Sequence, residues 1–186
     1  MSETTFQLSI SFGVATLFVA AAFFGKMTGA PLDLGNAPPR IVELELASTE
    51  KKAHDFIETW KKACLENPAK PEESWRDRLL RSISWDTWFI LAYAPLLAIL
   101  CWLAAGEFAS VSPGVMSAGR ILAWGQLLAG VLDFVENAGM RRLIGDGTIL
   151  GPWSVLPFYA SVAKWALIAM FTIYVLAALV HRLAFR

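Results

Sequence analysis

The chain is poor in the residues on which most site chemistry depends. It has two cysteines and two histidines in 186 residues. Cys64 stands in a charged stretch and Cys101 in an apolar one, so no disulfide between them is expected. Neither joins His54 or His181 in the ligand spacing of a zinc site. No metal and no cofactor is therefore expected. There is no G-x-S-x-G elbow, no glycine-rich phosphate loop ahead of a helix, and no histidine within the expected spans. Net charge is missing too: 16 Lys and Arg balance 16 Asp and Glu. Without a basic surplus to neutralise phosphates, nucleic acid is not an expected partner. The first residues, Met1-Ser2-Glu3-Thr4-Thr5, carry an acid where a signal peptide has its positive n-region. An internal repeat of the kind many transporters show is also lacking.

What is present is apolar. Hydrophobic residues make up 56% of the chain, with eight Trp and twelve Phe. Charge is crowded into one stretch: between Lys26 and Ser84 lie 10 of the 16 basic and 10 of the 16 acidic residues. The rest forms apolar runs long enough to cross roughly 30 Å of hydrocarbon. The expected fold is all-α, an integral membrane protein of four transmembrane helices in one membrane domain over 1–186. The spans fall at about 6–25, 86–105, 121–140 and 153–180, with 27–84 a mostly helical soluble or interfacial insertion.

Punctuation along the chain supports this division. Ser9, Gly13 and Thr16 make a small-residue stripe on the first run. Gly29, Pro31, Gly35, Pro38 and Pro39 break up the linker behind it. A short Ile41–Leu46 turn precedes a helix with Ser48 as its expected cap. Its apolar stripe is Ala53, Phe56, Ile57, Trp60 and Cys64. That stripe suits either a membrane interface, with Trp60 at headgroup level, or the protein's own loops. Asn67-Pro68 ends it, and Pro71-Glu72-Glu73 marks the start of a helix unbroken to Gly106, with Pro95 inside it. A loop around Gly106–Gly119 leads to the third span, closed by Arg141-Arg142. Gly145-Asp146-Gly147 and Gly151-Pro152 make the next turn, and Trp153 anchors the fourth.

Orientation follows from the basic residues near span ends. Lys26, Arg76, Arg78, Arg81, Arg141 and Arg142 lie on one side, against Arg120, Arg182 and Arg186 on the other. The positive-inside rule then places 27–84 in the cytoplasm and both termini outside, in the cell inner membrane. Membrane lipids are the expected partners, with a homo-oligomer or a larger membrane complex also open to the chain.

The candidate site is a polar seam in the third span. Asp133, Glu136 and Asn137 share one helix side, and Gly130 and Gln126 extend it backward. An ionisable group at membrane depth costs about 2.5–3.5 kcal/mol on insertion scales, so such residues face protein and a partner. Asp133 lies seven residues before Met140, and Tyr93 seven after Asp86, each about 10 Å along a helix. Lys164 is eleven residues past Trp153, roughly 16 Å in, with a stem that reaches back. One cluster is expected: Asp133, Glu136, Asn137, Lys164, Tyr93 and Asp86, with Ser161 and Thr172 on the face of Lys164. Two carboxyls against one ammonium leave a carboxyl over, to be protonated, to pair with Arg141, or to hold a cation or amine. The cluster either locks helices together or binds a small amphiphile or ion. An intramembrane enzyme using the carboxyls as acid and base, or a small transporter, is the alternative.

Taken in order, Ile41-Val42-Glu43-Leu44-Glu45-Leu46-Ala47, Trp60, Asp86, the stretch Phe89 to Tyr93, Asp133-x-x-Glu136-Asn137 and Lys164-Trp165 form a pattern. It resembles a group of bacterial four-span membrane proteins of uncharacterised activity. Those share D-x-x-E-N in the third span, a Lys before an aromatic in the fourth, and an L-E-L-A-like stretch after the first. The resemblance implies that Asp133, Glu136, Asn137, Lys164 and Asp86 act as one site, and it implies no activity.

Overall fold

Five α-helices and one short 3-10 turn account for nearly all of the residues that the computed structural model describes, 41–66, 74–146 and 152–185. The expected first span and its linker lie outside them. Helix α1 is Ile41–Glu45 and α2 is Glu50–Glu66. Three long helices follow: α3 (Trp75–Gly106), α4 (Pro113–Asp146) and α5 (Leu156–Phe185), the last preceded by the 3-10 turn Pro152–Ser154. By length and composition, each of these three can cross a membrane. Their outer positions are apolar, with Ile121, Trp124, Ile173 and Leu183 all more than 65% exposed. Exposed apolar faces over polar interior positions reverse the usual soluble pattern and suit contact with lipid tails. The chain is a multi-pass, all-helical integral membrane protein.

Helix starts follow local chemistry. Thr49, one residue after the expected Ser48, caps α2: its hydroxyl accepts from Lys52 N–H at 3.3 Å and its carbonyl from Ala53 N–H at 3.1 Å. Ser48 accepts from the Lys52 ammonium instead, at 3.4 Å. The expected start at Pro71 lies outside the described residues. Ser74 is not helical and caps α3, accepting from Asp77 N–H at 3.2 Å and donating to the Asp77 carboxylate at 2.6 Å. Helix α4 contains the expected span of 121–140 and begins two turns before it. Ser112 caps it by accepting from Val115 N–H at 3.4 Å, and Pro113 fills the first position, where no donor is needed.

The described residues fall into two compact units. One comprises the described parts of 41–89 with those of Leu132–Val162. Its core gathers Leu44, Ala53, Phe56, Ile57 and Trp60 with Leu79 and Ile83 of α3 and Met140, Leu143 and Ile144 of α4. Trp60 is completely buried there. The stripe of α2, apart from Cys64, whose side chain lies outside the described residues, therefore packs on the protein's own long helices, and Trp60 is buried rather than exposed to headgroups. The other unit comprises Ile90–Val131 with 163–185. Close backbone approach marks its helix contacts: a Cβ on Gly130 would lie 2.7 Å from that of Ala94, and one on Gly119 would collide with the Tyr174 ring.

Each long helix carries its buried positions at alternating steps of three and four. On α4 they are Gly119, Ala123, Gln126, Gly130, Asp133, Asn137, Met140 and Ile144. On α3 the series Leu79, Ile83, Asp86, Ile90, Tyr93 and Leu97 does the same, with Asp86 half-buried. On α5 it runs Pro157, Ser161, Lys164, Ile168 and Phe171, with Ile168 half-buried. A repeat of seven is the pattern of helices packed with a shallow left-handed supercoil. Of the polar residues singled out from the sequence, Gln126, Asp133, Asn137, Asp86, Tyr93, Ser161 and Lys164 occupy these positions, Glu136 is buried beside Asn137, and Thr172 is exposed.

Candidate functional site

In the unit that holds Leu132–Val162, Asp133, Glu136 and Asn137 are 4%, 1% and 3% exposed. Asn137 and Glu136 sit one residue apart, on the broad inward face of α4, and Asp133 one turn before them. The Asn137 amide donates to Asp86 Oδ2 of α3 at 2.7 Å, a charge-assisted bond between two spanning helices. This brings together two of the six residues expected from the sequence. Arg141 is exposed and donates to Ser84 Oγ at 3.2 Å, two residues before Asp86.

On the α5 side of this unit, Pro157 packs against Gly139, where an added Cβ would lie 2.8 Å from the proline ring. One turn further into α5 is Ser161, fully buried. Its hydroxyl has no hydrogen-bond partner. That is unusual, because a helical hydroxyl normally bonds back to the carbonyl four residues earlier. Ser84, Thr87 and Thr172 all do so in this chain. Asn137 Oδ1 is likewise buried with no partner, although its amide nitrogen is engaged. Both atoms are acceptors left unsatisfied in the interior.

In the other unit, Tyr93 and Lys164 are each 5% exposed and occupy inward positions of α3 and α5. Asp86, Tyr93, Asp133, Glu136 and Lys164 each have an interaction partner. Thr172, expected beside Lys164, is exposed and bonds to Ile168 O at 2.8 Å. It lies one residue past the inward position taken by Phe171. Gln126, at the head of the expected seam, donates to Leu167 O at 3.0 Å and ties α4 to α5.

A second charged group escaped the sequence reading. Arg182 Nη1 meets Glu107 Oε1 at 2.9 Å, with both side chains under 10% exposed. Glu107 follows the last residue of α3, and Arg182 lies in the last turn of α5. Phe108 and Phe185 flank His181 beside the pair, each with ring centroids 5.2 Å from the imidazole. The available signal was position: Glu107 is the only acid between Asp86 and Asp133.

Among the described residues, no group of three His, Cys, Asp or Glu side chains is placed to hold a metal ion. The arrangement offers carboxylates, an amide oxygen and a hydroxyl, an acceptor-rich set in low dielectric. Comparison with known families, with curated proteins and with solved structures finds no match for this chain.

Proposed function

We propose that this is a non-enzymatic membrane protein whose inward polar seam binds a small polar ligand, an ion or the head of a small amphiphile. The unsatisfied Asn137 Oδ1 and Ser161 Oγ, buried among carboxyl-bearing helix faces, carry this reading. A group left unsatisfied in the interior costs about 1–3 kcal/mol, so a purely helix-locking network would be expected to close such bonds.

Conduction is disfavoured by the length of the seam. On α3 the inward positions after Tyr93 are Leu97, Leu100 and Ala104, and on α5 those after Lys164 are Ile168, Phe171, Val175 and Ala178. These two helices are apolar inward for several turns beyond their polar stretches, while α4 carries Gln126 there, bonded to Leu167 O; this suits a site entered from one end. With the span expected at 6–25 the protein has four crossings, and 27–84 lies on the cytoplasmic side of the inner membrane. Native mass spectrometry of the gently purified protein should show a small ligand, ion or lipid that survives detergent removal. A bare mass across detergents would sink the binding reading and leave helix locking in its place.

A further inference from the structure

Where α3 meets the end of α4, in the unit that holds Leu132–Val162, an exposed arginine is bonded to a neutral oxygen. Arg141 Nη2 donates to Ser84 Oγ at 3.2 Å. The Ser84 hydroxyl gives its own proton to Leu80 O at 2.7 Å, so it meets Arg141 purely as an acceptor. Arg141 makes no ion pair among the described residues. A guanidinium has five N–H donors in a planar fork, and Ser84 takes one of them. The next residue, Arg142, is exposed too and lies over the Trp153 ring at 4.6 Å. From this basic end the same surface turns apolar. The Ser84–Arg141 and Asp86–Asn137 bonds step forward along α3 and backward along α4, so the two helices are antiparallel here. Trp88 stands four residues in from Ser84 on the same side of α3 and is 66% exposed. On α4, Ala138 and Phe134 stand three and seven residues in from Arg141, also exposed and on its side. Trp88 therefore reaches a level between those two.

We propose that this face docks an anionic phospholipid, with its phosphate on Arg141 and an acyl chain along Trp88 and Phe134. The face is separate from the buried seam, and the proposal stands whether or not the seam binds a ligand. A guanidinium fork and a phosphate match through two parallel N–H···O bonds, a geometry that a lone hydroxyl partner leaves open. Ser84 holds the guanidinium at the seam between two helices, which lowers the ordering cost of binding. Charge complementarity selects the lipid class. Phosphatidylcholine carries a trimethylammonium that cancels its phosphate, whereas phosphatidylglycerol brings a net negative charge to Arg141 and Arg142. Exposed tryptophans at this end, Trp85, Trp88 and Trp153, suit the headgroup level of a bilayer. The order of the surface, basic first and then apolar, is that of a lipid from head to tail. A free anion would use only the first part of it.

The test uses the full chain in a neutral detergent with equal amounts of phosphatidylglycerol and phosphatidylcholine of matched acyl chains. Native mass spectrometry reads which lipid stays bound. Phosphatidylglycerol should be retained about tenfold over phosphatidylcholine, as one charge-assisted contact predicts. Arg141→Gln can still donate to Ser84 but has no charge, and it should bring the two lipids close to parity. Arg141→Lys keeps the charge and should keep much of the preference, which separates loss of the site from misfolding. Arg120→Gln removes an exposed arginine that also lies over a tryptophan, Trp102 at 5.2 Å, and should leave the ratio unchanged. Equal retention of the two lipids by the unmodified chain overturns the proposal, and so does an undiminished preference in Arg141→Gln. An equal fall in Arg120→Gln overturns it as well, since general charge attraction would then suffice. Release of phosphatidylglycerol by millimolar inorganic phosphate would make the occupant a free anion and end the lipid assignment.

Discussion

Arg182 and Glu107 show what a buried charge demands of its neighbours. Removing one partner leaves the other charged in low dielectric, at a cost of about 3–5 kcal/mol, whereas replacing both with apolar residues is often close to neutral. Arg182→Met should therefore destabilise the protein strongly, and Arg182→Met with Glu107→Leu should recover most of the loss. Thermal unfolding of both single variants and the double variant measures the coupling, and simple additivity would count against the pair. The same cycle applied to Lys164→Met and Asp133→Leu tests the counter-charge expected from helix depth. The burial of Asp133, Glu136 and Lys164 was legible in the sequence because an Asp, a Glu and a Lys inside apolar runs are conspicuous. The Glu107–Arg182 pair was not. An acid straight after a helix-ending glycine looks like a solvated loop residue, and an arginine near a span end looks like an ordinary flanking charge. Only the fold brings the last turn of α5 to the end of α3, where both side chains are buried.

Helices α2 and α4 show how start signals and close approach act at the scale of an element. Two adjacent hydroxyl residues precede α2, and only the second occupies the capping position. Thr49→Ala should cost about 1 kcal/mol, and Ser48→Ala much less, since it loses only an exposed bond to a lysine side chain. A larger loss at Ser48 than at Thr49 in thermal unfolding would reverse the assignment. Where α3 and α4 meet, the limit is steric. Gly130→Ala places a methyl 2.7 Å from Ala94 Cβ, and overpacking of this kind costs about 1–3 kcal/mol. Ala94→Gly added to Gly130→Ala should restore part of the loss, because it reopens space at the same contact. Failure of the second change to help would place the strain elsewhere. The long apolar helices were readable from hydropathy, and the unbroken helix to Gly106 was found as expected. The first two turns of α4 were not, because Pro113–Arg120 is small, weakly polar and rich in glycine. There the Ser112-Pro113 pair was the better guide than hydropathy. For Trp60, composition left two burial partners open, and packing against Met140 and Ile144 required the tertiary fold.

At the scale of the whole molecule, three long helices that each crossed the membrane would put the approach to α3 and the end of α5 on opposite sides. On the positive-inside rule, the Lys and Arg distribution leads to the expectation that this approach is cytoplasmic. Arg182, the main counterweight in that distribution, has a local reason for its place, because it neutralises the buried Glu107. Orientation and the fourth crossing both come down to which side each end of the chain occupies. In a chain with Cys64 and Cys101 replaced by serine, single cysteines at positions 70 and 184 should label from opposite sides, with position 70 protected in intact cells. A cysteine at position 3 settles the count. If 6–25 crosses, position 3 labels together with position 184, from outside. If that run lies along the surface or returns to its own side, position 3 is protected together with position 70. The apolar length of Phe6–Gly25 and the Lys26 that closes it favour the first result, because 20 such residues match the hydrocarbon thickness. Labelling of positions 70 and 184 from one side would undo the crossing of the long helices themselves, and with it the membrane depth on which the proposed site depends.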